Sequence, residues 1–268
     1  MNIIEAIILG LVQGLTEFLP VSSSGHIELG TFLLGVKAAD NLLFSVVVHA
    51  ATALSTVVVF RKDIVAILLD LLKFRWNEGT KLAMLIAVSM VPVGLVGVFF
   101  EKEVEAFFGG KIIFVGAMLM VTATLLTVTH FASKRSGEVT FGRALVIGLA
   151  QMVAILPGIS RSGATICTAL LVGVSRENAA RFSFLMVLPP ILGACLLKVL
   201  KFVKEPAMAE GVTGGVLTAG FLAAFLAGLA ACVWMISIVK RGKLIYFAIY
   251  CAVVGLVAVV GGLMVGAR

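Results

Sequence analysis

Gly10-Leu-Val-Gln13-Gly-Leu-Thr-Glu17-Phe-Leu-Pro20-Val-Ser22-Ser23-Ser24-Gly25-His26 is a polar, serine-rich turn set in apolar sequence, and the chain contains a second one. The second reads Gly148-Leu-Ala-Gln151-Met-Val-Ala-Ile-Leu-Pro157-Gly158-Ile-Ser160-Arg161-Ser162-Gly163. At a single offset of 138 residues Gly10 falls on Gly148, Gln13 on Gln151, Ser22 on Ser160, Ser24 on Ser162 and Gly25 on Gly163. A duplicated polar turn inside hydrophobic sequence points to one site built from two halves. Glu17, His26 and Arg161 are not duplicated, so the halves bring different chemistry to it.

The surrounding composition decides what kind of protein carries these turns. The 268 residues are 61% hydrophobic and 13% charged, with a mean hydropathy of +1.16. A soluble domain of this length cannot hide so much apolar surface, which leaves an integral membrane protein. Cys167, Cys195, Cys232 and Cys251 are scattered through apolar stretches with no paired spacing and no His/Cys cluster, so neither a disulfide framework nor a zinc site is indicated. The formal charge of +7 does not argue for nucleic acid, because the basic residues sit between hydrophobic spans, where orientation in the membrane explains them. The opening Met-Asn-Ile-Ile-Glu lacks the basic n-region of a signal peptide.

Six segments reach the roughly 20 apolar residues that a membrane-spanning helix needs: about 41–60, 82–100, 112–130, 183–203, 214–238 and 245–266. Segments 3–36 and 143–174 carry the polar turns at their centres. Each reads as a helix, a Pro/Ser/Gly break and a short second helix, which together make a re-entrant hairpin. Such irregular backbone is tolerated at membrane depth only when protein or a polar cavity surrounds it. The offset also carries Phe44-Ser45 onto Phe182-Ser183, and 82–100 and 112–130 onto 220–238 and 250–268. The expected fold is therefore an all-α polytopic membrane protein forming a single domain over 1–268. Its two repeats, 1–134 and 139–268, each hold one re-entrant hairpin and three transmembrane helices. An odd number of crossings inverts the second repeat, and sites in inverted repeats lie near the midplane where the halves meet.

Loops 61–81, 131–143, 175–182 and 239–244 hold 13 basic residues. The N-terminal region, 101–111, 198–213 and the C-terminus hold 7, together with Glu101, Glu103 and Glu105. The first set is expected to be cytoplasmic, which puts both termini and the mouth of the first hairpin outside.

Within the turns, Gln13 and Glu17 are four apart and share a helix face. An ionisable residue inside a membrane hairpin is a functional candidate by default. Glu17 can ligate a divalent cation or act as a general base; the alternative is a structural pair with Arg161 that locks the repeats together. Ser22, Ser23, Ser24 and Gly25 after the helix-ending Pro20 offer hydroxyls and backbone N–H groups to an anion at a helix N-terminus. His26, close to three serines, can take a proton or attack phosphorus itself. His49 and His130, in or at the end of ordinary spans, read as interhelical hydrogen-bonding residues. Arg161, flanked by Ser160 and Ser162 with Gly163 and Thr165 just beyond, suits bidentate binding of a phosphoryl group. An anion site with a nucleophile, a proton acceptor, a metal ligand and an arginine clamp, held in the bilayer, fits hydrolysis of a lipid phosphate ester or pyrophosphate.

The motifs Gln13-Gly-Leu-Thr-Glu17-Phe-Leu-Pro-Val-Ser-Ser-Ser-Gly-His26 and Pro157-Gly-Ile-Ser-Arg161-Ser-Gly-Ala-Thr165 resemble those of the bacterial undecaprenyl pyrophosphate phosphatases, over essentially the whole chain. The resemblance implies release of one phosphate from undecaprenyl pyrophosphate in the bacterial inner membrane, recycling of the lipid carrier for peptidoglycan synthesis, and bacitracin resistance. It also implies a Mg²⁺ or Ca²⁺ requirement. It assigns catalysis to Glu17, Ser22, Ser23, His26 and Arg161, and phosphate binding to Ser24, Gly25, Ser160, Ser162, Gly163 and Thr165. Metal binding falls to Glu17, with Gln13 as the second candidate; a glutamine at 13 supplies one carboxylate fewer. Ser24 stands where the family often has Thr, and Ala51 lies near an expected glycine. Partners are the polyprenyl substrate and the bilayer, not nucleic acid; no oligomeric state is implied. Ser23 and His26 remain alternative nucleophiles. Two rivals stand beside this reading. A type-2 phosphatidic acid phosphatase would require a histidine six residues after Arg161, where this chain has Cys167. A lipid flippase or transporter would use the same inverted-repeat architecture.

Overall fold

A computed structural model describes residues 1–35, 38–131, 136–204 and 213–266. The chain is built of helices α1 (Ile3–Phe18), α2 (Ser23–Leu34), α3 (Ala38–Val59), α4 (Arg61–Leu72), α5 (Glu78–Phe99), α6 (Glu101–Glu105) and α7 (Ile112–His130) in its first part. The second part contributes α8 (Phe141–Val153), α9 (Arg161–Leu171), α10 (Arg176–Met186), α11 (Leu188–Lys204), α12 (Gly214–Arg241) and α13 (Ile245–Gly266). The described residues contain no strand, only an isolated bridge between Gly137 and Val174. Five helices are long and apolar enough to cross a membrane, or six when the bent pair α3–α4 counts as one. This is an all-α polytopic membrane protein.

The duplication is visible in where helices begin. Ile3, Ser23 and Ala38 open α1, α2 and α3, and Phe141, Arg161 and Arg176, each 138 residues later, open α8, α9 and α10. The caps repeat too: Asn2 and Thr140 cap α1 and α8, and Ser22 and Ser160 cap α2 and α9. Each cap oxygen accepts a first-turn N–H that has no partner within its helix. Packing then exchanges across the halves, with α1 lying on α12, α8 on α5, and α7 on α13. The α1–α12 contact depends on Gly10 and Gly14, spaced four apart. A Cβ at either position would stand 2.5 Å from the carbonyl oxygen of Gly220 or Ala224. Small residues let backbones approach where lipid provides no hydrophobic drive.

Three details differ from the sequence expectation. The span placed at 183–203 begins at Arg176, because Ser175 caps a helix whose first turn carries Arg176 and Glu177 ahead of the apolar run. It also breaks between α10 and α11, where Pro189 and Pro190 cannot donate backbone hydrogen bonds. The 61–81 loop contains α4, bent 76° from α3. It has no buried residue, and it exposes Val65, Leu68, Leu69 and Leu72 beside Arg61 and Lys62, the pattern of a helix lying along a membrane interface.

The basic loops do share one end of the bundle. Lys81 pairs with Glu138, Arg181 with Asp63 and Lys240 with Glu177, and Ser175 N–H donates to the Gly137 carbonyl. At the other end the Glu28 carboxylate accepts from Gly110 N–H at 2.9 Å. The end of the first repeat at 134, Lys134 and Arg135, the 205–212 part of the 198–213 connection and Arg268 lie outside the described residues.

Candidate active site

The two polar turns meet each other directly. Pro20 ends α1, and Ser22 follows with φ 70°, a left-handed conformation a serine rarely adopts. That conformation aims its hydroxyl at two backbone donors, Gly25 N–H at 3.2 Å and, from the other half, Gly158 N–H at 3.1 Å. Gly25 packs so tightly on Gly158 that a Cβ there would lie 3.1 Å from its Cα. Gly158 itself has φ 100°, which favours glycine. In return Ser162 Oγ donates to the Leu19 carbonyl at 3.1 Å. Thr122 of α7 fastens the second turn, donating to Gly158 O and accepting Ser160 N–H, both at 3.0 Å. Ser22 is thus the junction between the halves, and Ser160 caps α9 by accepting Gly163 N–H.

Against this junction sits the charged cluster. Glu17, near the end of α1, pairs through Oε1 with Arg161 at the start of α9. Its Oε2 accepts from Gln13 Nε2 at 2.8 Å and from Ser23 Oγ at 2.6 Å. The Glu17 side chain is only 5% exposed, and an ionised carboxylate survives such burial only when paired and hydrogen-bonded. Ser23 therefore presents its proton to a carboxylate beside an arginine. The structure brings Gln13, Glu17, Ser23 and Arg161 together from three helices.

His26, one turn after Ser23 on α2, bonds to other partners. Its Nδ1 is 2.8 Å from the Ser22 carbonyl, which can only accept, so Nδ1 carries the proton. Nε2 then accepts from the Tyr250 hydroxyl of α13 at 2.8 Å, with the two rings stacked. The sequence offered His26 as a proton acceptor or as the nucleophile itself, and in this arrangement its unprotonated nitrogen accepts from Tyr250.

His49, read from the sequence as a plain interhelical histidine, faces the site. Its Nδ1 donates to the Ser45 carbonyl at 2.7 Å, which turns Nε2 to within 4.0 Å of Glu17 Oε2. The expected cradle of backbone N–H groups is largely committed elsewhere, since Gly25, Gly158, Ser160 and Gly163 all donate within the junction. The N–H groups that helix geometry leaves without intrahelical acceptors are those in the first turn of α2 and of α9, at Ser23–Ser24 and Arg161–Ser162. Ser24 Oγ lies 3.4 Å from Ser22 Oγ, and Thr165 Oγ1 donates to the Arg161 carbonyl. A small cavity adjoins Glu17 and Arg161, walled by Thr52, Thr56, Ser162, Thr165 and Ser183 with Phe18, Phe184, Val187 and Ile191. Thr52, Thr56, Ser183 and Tyr250 carried no motif signal; the repeat of Phe44-Ser45 at Phe182-Ser183 was the one hint of the cavity serine.

Among the described residues no three His, Cys, Asp or Glu side chains group as a metal centre. The oxygen donors a hard cation would find are the Glu17 carboxylate and Gln13 Oε1, which is buried with no hydrogen-bond partner. One carboxylate completed by substrate oxygens is an ordinary Mg²⁺ arrangement, so the donor set fits such an ion.

A family model described as bacitracin resistance protein BacA matches residues 6–257. The chain is 53% identical over 257 residues to a protein of Bacteroides fragilis named undecaprenyl-diphosphatase, covering 96% of this chain and 97% of that one. A protein of the same name from Christiangramia forsetii is 54% identical, covering 97% and 98%. One from Salinibacter ruber is 42% identical, covering 94% and 96%.

Proposed function

The chain belongs to the bacitracin resistance protein BacA family, and from that premise we propose that it hydrolyses undecaprenyl pyrophosphate to undecaprenyl phosphate and inorganic phosphate. The observation that carries this reading is Glu17, shared between the Ser23 hydroxyl of its own half and Arg161 of the other. Arg161 turns from Glu17 to the pyrophosphate and balances its charge with the N-termini of α2 and α9. Ser23 Oγ attacks the terminal phosphorus, its proton passing to Glu17 Oε2, which hands it to the lipid phosphate as the bridging P–O bond breaks. Water then attacks the phosphoserine, Glu17 takes the proton from that water, and inorganic phosphate departs while Ser23 regains its proton. A Mg²⁺ or Ca²⁺ ion held by Glu17 and Gln13 Oε1 would neutralise further charge on the pyrophosphate. Ser22, Ser160, Ser162 and Gly163 keep the turns in register. Ser24, Gly25 and Thr165 shape the phosphate-facing side, and His26 ties α2 to α13 through Tyr250.

The end bearing Lys81, Arg181 and Lys240 is cytoplasmic by its basic content, which puts the termini and the mouth of the site on the outer face of the bacterial inner membrane. Carrier recycling from that face supplies cell-wall synthesis and accounts for bacitracin resistance. The flippase alternative draws on architecture alone, whereas the relatives are named for the hydrolysis. Purified protein given undecaprenyl pyrophosphate is expected to release phosphate, with Glu17→Ala and Arg161→Ala near background. Equal release from wild type and both variants would remove the enzyme reading. Alkali-labile, acid-stable phosphoenzyme supports Ser23; acid-labile phosphoenzyme transfers the role to a histidine.

A further inference from the structure

We propose that Ser183 binds the phosphoryl group handled by this site, in a subsite formed with Thr52, Thr56 and Thr165 beside Arg161. The inference rests on the reading of Glu17 and Arg161 as the phosphoryl-transfer pair. Ser183 lies on α10 and is 3% exposed, and its hydroxyl has no hydrogen-bond partner. It lines the cavity that Glu17 and Arg161 also line. A buried hydroxyl is normally bonded, in a helix often to the carbonyl one turn back, and an exception calls for a reason.

The duplication supplies one. Ser45, its counterpart in the first half, has Oγ 3.4 Å from His49 Nδ1 one turn later, a polar partner from which it can accept. The residue one turn after Ser183 is Val187, which has no polar group, so the Ser183 hydroxyl is without a partner in a residue that lines the cavity. The neighbouring threonines already donate their protons: Thr52 to His49 O, Thr56 to Thr52 O and Thr165 to Arg161 O. Ser183 is the cavity hydroxyl with a proton to give. With a guanidinium on one side and apolar walls on the other, the site matches a phosphate oxygen, which accepts strongly in such surroundings. That oxygen belongs either to the terminal phosphate of the lipid substrate or to the released inorganic phosphate.

The test uses the purified full-length protein and reads three quantities: KM for undecaprenyl pyrophosphate, the inhibition constant of inorganic phosphate, and the melting temperature. Ser183→Ala is expected to weaken at least one of the two constants by about tenfold, the usual worth of a hydrogen bond to a charged group. A higher KM identifies the substrate's phosphate as the occupant, and weaker inhibition alone identifies the product. The melting temperature should hold or rise, because the variant removes an unsatisfied buried group. Ser183→Thr, which keeps a hydroxyl, should recover both constants. Wild-type constants in Ser183→Ala, or a lowered melting temperature that accounts for lost activity, would overturn the proposal. Arg161→Ala separates the two readings: if it too releases phosphate normally, the site assignment itself has failed; if it is inactive while Ser183→Ala is normal, only this inference falls.

Discussion

The hairpin α1–α2 holds a carboxylate bonded on every side, while its copy α8–α9 holds an amide bonded on none. Gln13 and Gln151 are equivalent and equally buried. Gln13 donates to Glu17 four residues on; at the matching place Gln151 has Ile155, and both of its amide atoms are without a partner among the described residues. Ser23 and Arg161 occupy the same position in the repeat, the first residue of α2 and of α9. One became the hydroxyl donor to Glu17 and the other its cation. The scaffold that caps, breaks and interlocks the turns is shared, and the chemistry lies where the copies diverge.

Ser23→Ala breaks this comparison most severely: phosphate release should fall on the order of 10³-fold, as for loss of an activated nucleophile, and normal release would mean that another group attacks. The caps come next. Ser22→Ala orphans two N–H groups, one in each half, and should cost about 2 kcal/mol in unfolding measurements. Ser160→Ala, which loses a single cap bond, should cost about 1 kcal/mol; equal costs would deny Ser22 its role as the junction. The glutamines sharpen the contrast further. Gln13→Leu should slow release by about tenfold, while Gln151→Leu leaves the rate unchanged and the melting temperature level or raised, since it deletes an unsatisfied amide. Smallest is His49→Ala. At 4.0 Å from Glu17 and partly exposed, His49 should be worth no more than about fivefold in rate, and a larger loss would promote it to direct participation.

Much of the architecture was legible because membrane depth and duplication leave few choices. Six apolar runs, two Pro/Ser/Gly breaks and one constant offset led to the spans, the hairpins and the meeting of the turns. Glu17 and Arg161 stood out because charge is costly in such surroundings. What escaped was set by rotation of helices about their axes. Nothing in Val46-Val-Val-His49 says that its histidine turns toward Glu17, nor that Tyr250, within an apolar span, reaches His26. The helix at 176 was missed because its first turn is charged, which hydropathy alone reads as loop.

The central claim is that two halves of the chain build one catalytic unit. A double-mutant cycle on phosphate release from undecaprenyl pyrophosphate, with the milder Glu17→Asp and Arg161→Lys so that each single variant stays above background, addresses it directly. Groups that act as a unit are strongly non-additive, so the double variant should release phosphate no more slowly than the worse single variant. Losses that add in full, as between independent sites, would contradict the account.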